Sequence, residues 1–206
     1  MSFPTVIEID KKLIIPKKTE LVCRLGGAIE SFGESFFSSE REVISAISPR
    51  AVYVEAPIIR EGNLLRIEGL VTDSVGLSKA LWGYDSAVLF AVTLGAGVDR
   101  LILGAGKISM ERAFLLDAIA SAYAEALCDY AEEYVCRGRR HGKRYSIGYG
   151  DLPIEKQKIQ LSILDSERKI GLYLLDSCLM KPEKSITAII GVSSSRKEFQ
   201  NEEKHT

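Results

Sequence analysis

The chain has four cysteines and two histidines among its 206 residues, and neither set forms a metal-ligand pattern. Cys23, Cys128, Cys136 and Cys178 include no Cys-x-x-Cys pair, and His141 and His205 stand far apart. A structural zinc site needs closely spaced ligands, so none is expected, and the cysteines read as reduced, small apolar side chains. Charge of one sign is also lacking. With 27 Lys and Arg against 28 Asp and Glu, the formal net charge of −1 gives no general attraction for nucleic acid or another polyanion. The most apolar stretch, residues 87–103, is interrupted by Asp99 and Arg100 and is too short to span a bilayer. Residues 1–10 carry no charged segment ahead of an apolar one, so no secretory signal is read and a cytoplasmic protein is expected.

Nucleotide and hydrolase motifs fail at specific positions. Residues 95–100, Gly-Ala-Gly-Val-Asp-Arg, begin like GxGxxG but place Arg100 where the third glycine belongs. Residues 104–107 end like a phosphate-binding loop, yet Leu101 replaces its first glycine and Ile108 its magnesium-binding hydroxyl residue. There is no GxSxG, and with His141 alone ahead of the C-terminal segment no Ser-His-acid triad is persuasive.

The length suits one domain with one good core, expected over residues 1–192, followed by a polar tail, 193–206, expected to be disordered. Residues 6–10 read as a short strand and residues 20–47 as mostly helical with a break at Gly26-Gly27. Ser38-Ser39-Glu40 resembles a helix start, and Pro49 ends that helix. Residues 51–57 and 64–71 form an expected hairpin around Gly62-Asn63, residues 78–81 a short helix, and residues 86–94 and 185–192 buried strands. Asp151 and Pro153 read as the cap and first turn of a helix carried by residues 154–164. Helices and hairpins alternate without strict βαβ units, which predicts an α+β fold.

The clearest element is a helix over residues 110–135, where Phe114, Leu115, Ala118, Ile119, Ala122, Tyr123, Ala126 and Leu127 recur at helical spacing. Asp117, Ser121 and Glu125 share another face; such a stripe is ordinarily solvated, and the alternative is the wall of a ligand cleft. Beyond this helix Arg137, Arg139, Arg140, Lys143 and Arg144 form a basic, glycine-containing loop.

That loop leads into residues 144–150, Arg-Tyr-Ser-Ile-Gly-Tyr-Gly. A guanidinium presents a planar fork that matches a carboxylate, glycine admits close approach to the backbone, and a tyrosine face attracts a cation. The combination suits a ligand with both a carboxylate and a positive centre, such as S-adenosylmethionine. From this run alone, a basic loop ending in a glycine turn is the better reading.

Downstream, Glu167, Ile170, Gly171, Leu174, Ser177, Met180, Pro182, Ser185 and Ile186 follow the Arg-x-x-x-Gly-Tyr run at spacings that resemble the activation (reactivation) domain of cobalamin-dependent methionine synthase. The match is most specific over residues 144–186 and extends more weakly to the long helix. The resemblance implies a C-shaped α+β domain around a bent antiparallel sheet flanked by helices. It implies binding of S-adenosylmethionine and docking over a cobalamin-bearing domain, where oxidised cob(II)alamin is reductively methylated with an electron from a flavodoxin-type donor. It further implies that Arg144 holds the ligand carboxylate, that Ser146 and Gly148 present backbone to it, that Tyr149 lies along it, and that Glu125 contributes from the long helix. No general base is then required: the task is to hold two reactants in line and exclude water.

Three family features are absent. No Asp-Trp-Thr-Pro-Phe-like stretch occurs, Gly150 stands where a proline usually follows the Gly-Tyr pair, and no tyrosine follows Tyr173. These departures predict a looser loop and a weaker site, or one that a partner completes. With no homocysteine, folate or cobalamin module in the sequence, the expected role is a separately encoded reactivation subunit for a methionine synthase lacking this domain. Alternatives are a corrinoid-protein docking or chaperone module without S-adenosylmethionine binding, and a reactivator of another corrinoid methyltransferase.

Overall fold

The computed structural model describes residues 2–196. Its strands are β1 (Thr5–Glu8), β2 (Arg50–Glu61), β3 (Leu64–Ile67), β4 (Leu70–Thr72), β5 (Ser86–Thr93), β6 (Arg139–His141), β7 (Tyr173–Leu174), β8 (Met180–Lys181) and β9 (Ser185–Arg196). The helices are α1 (Lys18–Leu25), α2 (Gly33–Ala46), α3 (Val75–Ala80), α4 (Ala96–Gly106), α5 (Met110–Cys136), α6 (Lys156–Ile163) and α7 (Ser166–Ile170). Seven strands make one open sheet in the order β4-β3-β2-β5-β9-β6, with β1 on β2, while β7 and β8 form a small ribbon. All pairings are antiparallel. The long strand β2 pairs with β5 over residues 50–57 and with β3 over residues 58–61, so the sheet changes partner midway along one strand.

Both faces of the central strands are covered, which is why β5 reads as a continuous apolar run rather than an alternating one. Val88, Phe90 and Val92 of β5, with Ala188 and Ile190 of β9, pack under α1, α2, α4 and α5. Ala87, Leu89, Ala91 and Ile189 face a second core with Leu77, Leu152, Leu161, Leu164 and Leu172. Burial of each large side chain contributes about 1.5–3 kcal/mol, so the two cores fix the sheet firmly. Gln160 is buried in the second core and donates to the backbone carbonyls of Phe90 (3.2 Å) and Ala188 (2.9 Å), tying α6 to β5 and β9.

The α+β class, the 110–135 helix, the hairpin and the buried strands stand as expected, but several local readings are corrected. Ser38-Ser39 does not start a helix: α2 begins at Gly33, and Ser39 is buried within it. The second hairpin strand is two strands, β3 and β4, because Glu68 adopts a left-handed φ of 51° between them. The failed nucleotide motif at residues 95–100 enters α4, and Gly97 lets that helix approach the Ala46 carbonyl closely. Strand β9 runs through residues 193–196, which were expected in the tail; residues 197–206 lie outside the described residues. Asp151 does not cap the following helix, which starts at Lys156 with Glu155 before it. Its carboxylate is used elsewhere. No helix among the described residues is long and apolar enough to cross a membrane.

Candidate functional site

Arg144 leaves β9's edge toward α5. Tyr145 bridges Ile189 of β9 through both backbone hydrogen bonds (2.9 and 2.8 Å), and neighbouring side chains point to opposite faces of a strand. Tyr145 and Ile147 therefore enter the second core, while Arg144 meets the polar stripe of α5. Its Nη2 lies 2.9 Å from Asp129 and 3.8 Å from Glu125, and its Nε lies 3.2 Å from Glu132. Nη1 is buried with no hydrogen-bond partner. Burial opposes the charged form, but Cys128, Glu132 and Asp129 outweigh it and hold Arg144 above its ordinary range. Cys128 itself is pushed up to about 12, chiefly by burial and against the pull of the neighbouring Arg144.

Residues from the N-cap to the last turn of α1 form the opposite wall. Lys17 pairs with Asp129 at 2.7 Å, and Arg24 bridges Glu20 (2.5 Å) and Glu125 (3.4 Å). A hollow of about 120 Å³ lies among Lys17, Glu20, Ala122, Glu125, Ala126, Asp129 and Arg144. Three carboxylates meet two cations there, leaving its lining one positive charge short of neutral. This hollow is smaller than the roughly 300–1,000 Å³ of ordinary ligand pockets. It shares Lys17, Ala126 and Asp129 with an adjoining hollow of about 470 Å³ that reaches Tyr130 and His141. Three larger hollows share no residue with it: about 730 Å³ beside Trp82, about 610 Å³ between α2 and the start of α5, and about 600 Å³ between α6 and the β7–β8 ribbon. Of these, the hollow between α2 and α5 also sets a guanidinium among carboxylates, with Arg112 2.6 Å from Glu42, but no residue of the 144–150 loop lines it.

The polar stripe on α5 is thus not simply solvated. Lys184 donates to Asp117 (2.7 Å) and Ser121 (2.8 Å), and Arg24 and Arg144 flank Glu125. The structure brings Arg144 and Glu125 together. It places the other candidates further along the loop. Ser146 Oγ donates to the Thr187 carbonyl at 3.2 Å, and the Gly148 amide donates to the Leu152 carbonyl at 2.9 Å, so that donor is used within the turn. Tyr149 is 74% exposed, with its amide on Ser146 and its carbonyl receiving the Tyr145 hydroxyl at 3.1 Å. Lys17, Glu20, Arg24, Asp129 and Glu132 escaped the sequence reading. Asp129 and Glu132 continue the Glu125 stripe at i+4 and i+7, a signal that was present; the α1 residues are joined to it only by the fold.

Asp151 is held low, first by the Ser74 hydroxyl, against some desolvation, and by the Val75 and Gly76 amides. It pins the far end of the loop to α3, so the loop expected to be loose is braced.

No curated protein matches the chain in sequence. The fold, however, is that of the MetH reactivation domain, whose crystal structure was determined bound to AdoHcy: the TM-score is 0.69 at 17% identity, over 91% of this chain and 78% of that one. Residues 77–203, which include α5, the 144–150 loop and β9, match the family described as the vitamin B12-dependent methionine synthase activation domain. The chain belongs to that family.

Proposed function

We propose that this chain binds S-adenosylmethionine along the 144–150 loop and serves, as a separate subunit, the reactivation of a cobalamin-dependent methionine synthase that lacks its own activation domain. The observation that carries the reading is the convergence of Arg144, with its unpartnered buried Nη1, and Glu125 on one small hollow. At neutral pH S-adenosylmethionine has one carboxylate, one ammonium and one sulfonium, and hence one net positive charge. The hollow's lining has one net negative charge. Arg144 would receive the carboxylate, Glu125 and Glu20 would face the cationic part, and Ser146, Gly148 and Tyr149 would line the path along the loop. The ligand supplies an activated methyl group, and cobalamin on the partner supplies its acceptor. A flavodoxin-type protein is the proposed electron donor. The residues of this chain bind, orient and shield; none needs to move a proton.

Calorimetry with S-adenosylmethionine tests the binding reading: a saturable isotherm that disappears in Arg144→Ala supports it, and no binding to the wild-type chain overturns it. A second reading, a corrinoid-protein docking module without S-adenosylmethionine binding, is favoured by one fact. Asp129 and Glu132 already occupy two edges of the guanidinium. Retained docking to a corrinoid protein without ligand binding would decide for it.

A further inference from the structure

We infer that Asp151 and Tyr145 are positioning residues that lock the 146–150 loop onto the start of α3, and that Gly76 is the position that lets loop and helix meet. As an assignment of ligand positioning, this rests on the proposed reading of the loop. Asp151 accepts from Ser74 Oγ (2.6 Å), the Val75 amide (2.6 Å) and the Gly76 amide (3.1 Å). Ser74 Oγ in turn accepts from the Leu77 amide at 3.0 Å. The first amides of a helix have no partner within it, so a carboxylate brought from about 75 residues away along the chain completes this helix start. Because the helix is anchored by fully buried Leu77 and Leu81 in the second core, the tether refers the loop to the core rather than to solvent.

Tyr145 supplies the other tie. Its hydroxyl donates to the Tyr149 carbonyl at 3.1 Å, closing the loop across its own width. Gly76 sits directly below. A β-carbon there would overlap the Tyr145 hydroxyl and lie 2.9 Å from Asp151 Oδ1, which is closer than real side chains pack. Gly76 has no unusual φ, so what is required of it is space, not backbone freedom. The two ties do what a proline after the Gly-Tyr pair would do. They restrict a segment whose Gly148 and Gly150 would otherwise leave it many conformations.

The experiment compares Gly76→Ala, Asp151→Asn and Tyr145→Phe with the wild-type chain. S-adenosylmethionine affinity is read by calorimetry, and hydrogen exchange is read at the Gly148 and Leu152 amides, which close the turn. Gly76→Ala and Asp151→Asn should each weaken binding about tenfold, the scale of one charged hydrogen bond. Both should also speed exchange at those two amides while α5 amides stay protected. Gly76→Ala should cost less affinity in the Tyr145→Phe background, where the hydroxyl it meets is gone, than in the wild-type background. A change that destabilises the chain elsewhere than at this contact would show no such rescue. Asp151→Asn carries the test if Gly76→Ala does not fold. Wild-type affinity and wild-type exchange in both variants would overturn the inference. If the wild-type chain binds no S-adenosylmethionine but loop exchange still rises in the variants, the ligand reading falls and the brace stands.

Discussion

The two ends of the 144–150 loop are held by different physics. At its first end Arg144 rests among Glu125, Asp129 and Glu132 on α5, with Lys17 and Arg24 reaching the same carboxylates from α1. Apart from exposed Lys17, these are ion pairs of partly buried side chains that solvent still reaches, and exposed pairs of this kind typically contribute about 0–1 kcal/mol each. At its second end the Tyr145 hydroxyl holds the Tyr149 carbonyl, and Asp151, next to Gly150, is hydrogen-bonded to a helix start that is anchored in the core. The contrast separates what a ligand can exchange from what must stay still. In the proposed function, the ligand carboxylate would take the place of a carboxylate partner of Arg144. It cannot replace Asp151 without releasing α3.

The largest effect is expected at Arg144. Charge-assisted hydrogen bonds are worth about 1.5–3 kcal/mol each, so Arg144→Ala should lower S-adenosylmethionine affinity about a hundredfold or more, measured by calorimetry. Affinity within a factor of two of wild type would place the ligand carboxylate elsewhere. Glu125→Gln removes negative charge near the cationic part of the ligand and should cost about tenfold in affinity, with stability changed by no more than about 0.5 kcal/mol in thermal unfolding. Asp129→Asn should act in the other direction. It frees one edge of the Arg144 fork and should raise affinity a few-fold, on the scale of one half-exposed ion pair. A loss of affinity there would make Asp129 a ligand group in its own right.

The smallest effect concerns pH and the braced end. The Asp151 carboxyl is held below its ordinary range, first by the Ser74 hydroxyl and then by the Val75 and Gly76 amides. A depressed folded-state value stabilises the brace fully above the unfolded value of about 3.9, and that contribution is lost as pH falls through the lower folded value. Exchange at the loop amides should therefore accelerate, beyond its intrinsic pH dependence, only below about pH 4. It should be unaffected between pH 6 and 8, and Asp151→Asn should abolish the acid transition.

Much of the frame was legible in the chain itself because it is local. The α5 periodicity, the apolar runs of β5 and β9 and the turn at Gly62-Asn63 are short-range patterns, and the cores confirm them. The basic edge of the candidate site was legible too, since Arg144 stands next to its glycines. What stayed hidden is long-range. Asp151 followed by Leu-Pro has the form of a helix cap, and the sequence holds no sign that its carboxylate reaches Ser74 instead. Gly76 looks like an ordinary helix glycine until Tyr145 is placed above it. The closure of the groove by Lys17, Glu20 and Arg24 depends on α1 packing along α5, more than a hundred residues later.

In the proposed function this chain delivers the S-adenosylmethionine methyl group to cobalamin on another protein. The direct measurement mixes the chain with a cob(II)alamin-loaded methionine synthase lacking its activation domain, a reductant and S-adenosylmethionine labelled in its methyl group, and follows label on cobalamin. Label should accumulate with the wild-type chain and fall to background with Arg144→Ala or without the chain. Label transfer at the same rate whether or not the chain is present, or none at all with the wild-type chain, would contradict it.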